Sequence, residues 1–274
     1  MKRLFAITFA SIIGSIFLIA LVGTTVELTS KVVLKSDITW SPLNPARGDK
    51  SPQAGALWGE RTGSGPSGFL VKFADGFESP PHIHNVTYRG VVISGLVHND
   101  DPAAKNMWLP AGSFWTQPAG EAHVTAAKGQ ENIAYIEIDS GPYLVKPESE
   151  AFDNGERPVN VDKSNLVWLN ASDIQWIDHD GIEIAFLWGS PHYGKLNGSL
   201  VKIPAGASSR IVSNGSVFHG IIIQGRPHYN NSTLEAGSYF GSESTSGYVI
   251  TSDTKEESII YIRTNGKLEI TQID

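Results

Sequence analysis

Beyond the first thirty or so positions, apolar residues come in short β-branched and aromatic runs, cut at close intervals by Gly, Pro, Asn and Asp. Residues 68–73, 88–94 and 132–138 have the composition of strands, and comparable runs return in the second half of the chain. No stretch after the N-terminal region keeps a helical period. The pattern predicts an all-β protein of closely spaced strands and turns.

The N-terminus follows a different pattern. Lys2 and Arg3 precede an almost unbroken apolar run over residues 4–22, followed by Gly23, Thr24 and Thr25. A basic start and an apolar run predict an export signal over residues 1–23. The run exceeds the usual signal core of about 7–15 residues and approaches the ~20 that span a bilayer, so an uncleaved membrane anchor stays open beside a cleaved signal. Either way the expected location is outside the cytoplasm, in a bacterial periplasm or anchored facing it. The chain has no Cys, which removes disulfides, thiol catalysis and a lipidated cysteine.

The order of the apolar segments repeats, and repeats of this length set an architecture. Ser36-Asp37-Ile38-Thr39-Trp40 returns as Ser172-Asp173-Ile174-Gln175-Trp176, and Leu57-Trp58-Gly59 as Leu187-Trp188-Gly189. The run 90–95 returns at 220–225, His98 as His228, and Ala111-Gly112-Ser113 as Ala236-Gly237-Ser238. We expect two homologous β-barrels over residues 33–140 and 166–274, joined by a linker over 141–165 rich in Pro, Glu, Asp and Asn. The chain's 274 residues suffice for two such cores. Its 21 Lys and Arg against 28 Asp and Glu leave a net charge of −7, a poor match to nucleic acid.

Candidate chemistry concentrates in the first copy. Gly76 is followed after five residues by His82-Ile83-His84, then after three more by Tyr88, and after six more by Gly95. Gly112 is followed after five residues by Pro118-Ala119-Gly120, and after two more by His123. Strand residues two apart share a face, so His82 and His84 project together, and His123 on a neighbouring strand completes a set of three. Neutral imidazoles bind divalent ions such as Fe, Zn, Mn, Ni and Cu. A lone His would more simply be a core or surface residue, but three at matched spacing predict one metal.

Both spacings resemble the two signature motifs of the cupin superfamily, over both copies. The resemblance implies tandem jelly-roll barrels and a metal held by His82, His84 and His123. One departure is Tyr88, which stands where the first motif usually has Glu. A neutral phenol is a poor ligand, with a pKa of about 10, so three His and open positions are expected. Three-His sites occur in the superfamily in β-diketone-cleaving iron dioxygenases and in cysteine dioxygenase. Glu78 and Glu121 lie within the motifs and read as solvated loop charge. Tyr88 either orients a substrate as a catalytic residue or fills the barrel. More specifically, Leu57-Trp58-Gly59, Pro81-His82-Ile83-His84, residues 88–95 and Gly112-Ser113-Phe114-Trp115 resemble a bacterial double-cupin family of unknown function. In that family the Tyr is normal, and the cupin domains of zinc-binding anti-sigma factors are its cousins.

In the second copy, spacing sets Val212, Asn214 and Tyr248 opposite the three His, and no ligand set is left. That barrel is expected to supply packing, a pocket wall or a homodimer face. Two classes of function remain open. One is a metal-dependent dioxygenase acting on a small dicarbonyl or phenolic compound. The other is a ligand-binding or sensing module with a structural metal, and a Lewis-acid isomerase or hydrolase stands behind both. An enzyme needs an open metal position facing a cavity, whereas a structural site is closed.

Overall fold

A computed structural model of the chain describes residues 30–273 except 179 and 244–246. The expected signal or anchor over residues 1–23 lies outside the described residues. Among those described, no helix is long and apolar enough to cross a membrane.

The fold is all-β, with two jelly-roll barrels in tandem. In the first barrel the large sheet runs Val159–Val161, Phe114–Gln117, Tyr88–Asp100, Val124–Ile138, Ser67–Phe73, Gln53–Gly59 and Ser41–Pro42. Its counterpart in the second barrel runs Lys31–Val33, Tyr239–Ser242, Phe218–Gln224, Ser258–Thr264, Asn197–Ile203 and Glu183–Gly189. These strands are apolar on both faces because both faces are covered. One apolar cluster fills each barrel interior, and a third, including Leu57, Leu70, Tyr135, Leu200, Ile221 and Tyr261, glues the two large sheets back to back.

Each large sheet ends on an arm from outside its own run of strands. Lys31–Val33, from the start of the described chain, pairs with Tyr239–Ser242 of the second barrel. Val159–Val161, within the stretch 141–165, pairs with Phe114–Gln117 of the first. That stretch also contributes Val145–Pro147, which pairs with His82–His84.

The arms correct one element of the repeat. After each arm comes a single 3-10 turn, Lys35–Asp37 and Lys163–Asn165. The Lys35 N–H donates to Ser238 Oγ at 3.1 Å, and the Lys163 N–H donates to Ser113 Oγ at 3.0 Å. Ser41 then pairs with Ala54, and Leu169 with Ile184. The structural repeat of Lys35-Ser36-Asp37-Ile38-Thr39-Trp40 is therefore Lys163-Ser164-Asn165-Leu166-Val167-Trp168, not the stretch ending at Trp176. Cross-strand partners decide equivalence, and the resemblance of residues 172–176 is local.

Close approach explains a repeated glycine. A Cβ on Gly90 would lie 2.2 Å from the Trp115 ring, and one on Gly220 2.5 Å from the Phe240 ring. Each aromatic lies flat across its neighbouring strand, which only a residue without a side chain permits.

Candidate metal centre

His82 and His84 sit on the short strand His82–His84, with Ile83 fully buried on its other face. His123 begins the return of the next strand and pairs with His82, exchanging both backbone hydrogen bonds, at 3.1 and 3.0 Å. One ring nitrogen from each of the three lies within 4.8 Å of the others. Among the described residues this is the group of His, Cys, Asp and Glu that could hold a metal, and it contains no carboxylate.

Hydrogen bonds orient all three rings alike. His82 Nδ1 faces the Pro80 carbonyl at 3.0 Å, His84 Nδ1 the Leu144 carbonyl at 3.0 Å, and His123 Nδ1 the Glu121 carbonyl at 3.1 Å. A carbonyl only accepts, so each Nδ1 carries the proton and each Nε2 keeps its lone pair. This is the outer-shell arrangement that orients metal-ligating histidines. Burial holds the imidazoles neutral. His123 is pushed down to about 3 by burial and by His82, and His84 falls well below the usual 6.5 through burial, His123 and His82. His82 is also lowered, chiefly by burial. Three neutral, pre-oriented nitrogen donors fit a borderline divalent ion.

Two tyrosine hydroxyls border the same nitrogens. Tyr88 Oη lies 3.3 Å from His123 Nε2 and donates to Asn99 Oδ1 at 2.9 Å. Asn99 in turn donates to Gln117 Oε1 and accepts from Thr125 Oγ1, at 2.9 and 2.8 Å. Tyr143 Oη lies 3.2 Å from His84 Nε2, and its ring stacks on the His84 imidazole. Burial raises both phenols above the usual 10, so both remain protonated. Sequence reasoning found Tyr88 but missed Tyr143, Asn99, Gln117 and Thr125. Asn99, Gln117 and Thr125 carried a faint signal, as polar residues inside apolar strands. Tyr143 carried none, because it lies in a stretch without strand pattern. Glu78 and Glu121 stay out of the cluster, Glu121 serving through its backbone carbonyl.

His82 and His84 line a cavity of about 520 Å³, with His123 joined to them through the backbone pair with His82. Val71, Phe73, Phe77, Trp115, Ile136 and Tyr143 form apolar walls, Tyr88, Asn99 and Thr125 a polar end, and Arg47 and Lys146 stand among the lining residues. This size is ordinary for a small-molecule site.

Among the described residues, side chains fill the corresponding interior of the second barrel. Its inward positions on Ser208–Ser213 are Ser209, Ile211 and Ser213, while Val212 is half-buried and Asn214 exposed. Ile211 pairs with Tyr248, as His82 does with His123. The counterparts of His82 and His84 are thus Ile211 and Ser213, one residue from the spacing-based choice of Val212 and Asn214. A one-residue step exchanges the faces of a strand. Phe218 stands for Tyr88, Tyr229 for Asn99 and Ile250 for Thr125, by matching cross-strand registers. Phe218 stacks on Tyr248 at 4.1 Å, and Tyr229 and Phe240 pack against it, filling the volume that is open in the first barrel. Asn214 caps a turn instead, its Oδ1 accepting from the Lys267 N–H at 2.8 Å. His98 and His228 lie apart from the cluster, turned to the Met107 carbonyl and to Thr233.

A family described as a domain of unknown function (DUF4437) matches residues 31–271. No curated protein matches the chain. Among solved structures, an oxalate decarboxylase from Lactobacillus farciminis, in complex with formate, superposes with a TM-score of 0.58 at 12% identity, covering 88% of both chains. Protein Ylba from E. coli gives 0.58 at 15% identity, covering 86% of this chain and 91% of that one. A quercetin 2,3-dioxygenase from Acinetobacter baumannii gives 0.54 at 16% identity, covering 87% and 79%. At these identities the likeness is one of fold, and the fold is the two-barrel cupin.

Proposed function

The chain belongs to the DUF4437 family and has the two-barrel cupin fold, and from that premise we propose that its first barrel is a metal-dependent dioxygenase site for a small dicarbonyl or phenolic compound. One observation carries the reading: the three-His cluster has no fourth protein ligand among the described residues, and two of its members, His82 and His84, line an open cavity of about 520 Å³. A divalent ion there would be held by the three Nε2 atoms and would supply open positions for a substrate oxygen and for O₂.

The chain's own residues do the rest. The aromatic and aliphatic walls exclude water and favour a flat organic ligand. Tyr143 stays protonated, so its hydroxyl can donate to an oxygen brought beside the His nitrogens, whereas Tyr88, whose proton goes to Asn99, turns an acceptor lone pair toward the site. The Tyr88 hydroxyl is aimed by Asn99, itself fixed by Gln117 and Thr125. Its neighbours among solved structures include a dioxygenase and a decarboxylase, which supports small-molecule chemistry without selecting the reaction. The basic start and apolar run of residues 2–22 support action outside the cytoplasm.

The test is oxygen consumption by the Fe²⁺-loaded chain with acetylacetone, catechol and quercetin, against a His82→Ala, His84→Ala double variant. Uptake by the wild type that the double variant lacks supports the reading. Absence of uptake with every compound, while the cavity still binds one of them, replaces it with the ligand-binding reading.

A further inference from the structure

The two barrels differ at one corresponding place, and the difference makes the opening of the cavity. Leu268–Gln272 pairs with Ser208–Ser213 as Val145–Pro147 pairs with His82–His84. In the second barrel Ile177–Asp178 lies parallel beside Leu268–Gln272 and drives Ile177 into the core, closing the wall. In the first, the connection after Ser41–Pro42 forms the turn Pro45–Lys50, and among the described residues Val145–Pro147 pairs with His82–His84 alone. We take the gap between these two segments, from which Arg47 and Lys146 line the cavity, as its mouth.

Charge at this mouth runs against the whole chain. The protein carries −7, yet no Asp or Glu stands among the residues lining the cavity, whose charged members are Arg47 and Lys146. Lys146 is answered by Glu150 at 2.7 Å. Arg47 has no carboxylate partner among the described residues. Its guanidinium instead lies 5.9 Å from the centre of the Phe77 ring, a wall of the cavity. The turn that carries it is capped by Asn44, whose Oδ1 accepts from the Ala46 N–H at 3.1 Å. A planar cation resting on an aromatic wall, with its donors free, matches a carboxylate in the fork-to-fork manner.

Resting on the reading of this cavity as the substrate site, we propose that its ligand is an aromatic carboxylate, with Arg47 as the anion anchor at the mouth. The ring lies against Phe73 and Phe77, and the end remote from the carboxylate reaches the His cluster. A phosphate ester fits less well, since one arginine faces the mouth unpaired and the adjoining turn offers no helix N-terminus.

The probes are 2-naphthoate and the isosteric neutral 2-naphthamide, titrated calorimetrically into the full chain, metal-free and Zn²⁺-loaded. The acid is expected to bind at least about tenfold more tightly than the amide in both states, the scale of one charged hydrogen-bonded contact. Arg47→Gln should erase that preference and leave amide affinity within about twofold, while Arg47→Lys keeps part of it. Arg47 is exposed, so these variants should fold. Equal affinity for acid and amide, no binding of either, or a preference that survives in Arg47→Gln overturns the proposal. A preference seen only with metal and indifferent to Arg47 also overturns it, while leaving the metal site standing. Conversely, a preference that persists in the His82→Ala, His84→Ala variant supports it even if no metal binds.

Discussion

The Tyr143 ring lies nearly parallel to the His84 imidazole, with centroids 4.2 Å apart and planes inclined by 21°. The contact joins a residue of the inter-barrel stretch to the floor of the cavity, 59 positions away. Tyr143→Ala is expected to lower Zn²⁺ affinity about tenfold, because His84 loses the surface that fixes its ring. Tyr143→Phe keeps the stack and should stay within about threefold. Competition against a chromogenic chelator measures both, and equal losses in the two variants would assign the effect to the hydroxyl instead.

Metal content should be one ion per chain. The His82→Ala, His84→Ala double variant should lose it, whereas His219→Ala and His228→Ala should keep it. His219 stacks on Trp58 at 3.9 Å, remote from the cluster, and serves the interface of the barrels. Elemental analysis of purified protein decides, and full occupancy in the double variant would refute the ligand set.

The second barrel should matter for stability and not for metal. Tyr248 is fully buried against Phe218 and shares a hydrogen bond with Ser242. Tyr248→Ala should cost about 3–5 kcal/mol of unfolding free energy by denaturant titration, as large aromatic truncations in cores do. Metal content should be unchanged, also when Asn214→Ala is added. Two ions per chain, with the second lost in that double variant, would make both barrels candidates for chemistry.

Between the barrels, Glu137 is fully buried and accepts from Arg263, Tyr261 and Tyr135 at 3.1, 2.9 and 3.0 Å. Without Arg263, Glu137 keeps only the longer contact to Arg89 at 3.9 Å, so Arg263→Met should destabilise by about 3 kcal/mol, the low end for a broken buried pair. Adding Glu137→Gln to that variant should restore part of the loss. A fully additive double-variant cycle would show that the two charges do not support each other.

Acid should weaken the metal-free protein before its carboxylates titrate. His84 and His123 are held below 6.5 when folded, His123 at about 3. Between pH 6.5 and about 3 the unfolded chain therefore binds protons that the folded chain refuses, and stability falls as pH falls. Thermal unfolding across this range should show the slope. It should be shallower in the His82→Ala, His84→Ala variant, and an unchanged slope there would locate the protons elsewhere.

The all-β class, the duplication and the three His were legible in the sequence because they are written in local spacing. Short β-branched runs, turn glycines and gapped His motifs each need only a few residues along the chain. The loss of ligands in the second barrel was legible too, but its aromatic filling was not, because spacing set Val212, Asn214 and Tyr248 at the ligand places, two of them polar. Equivalences between copies were less secure. The likeness of residues 172–176 to 36–40 is a resemblance of short strings, and only cross-strand pairing shows that Trp168, not Trp176, repeats Trp40. The same holds for Ile211 in place of Val212, where one step of register separates core from surface. Tertiary structure alone decided that the stretch after the first barrel folds back over it. Tyr143 and Val145–Pro147 reach the His cluster through backbone pairing, which any extended sequence can make and which leaves little trace in composition. It also decided that one barrel is open and the other shut. That depends on whether a connecting segment adds a strand beside Leu268–Gln272 or stops short of Val145–Pro147, a competition between partners distant in the chain.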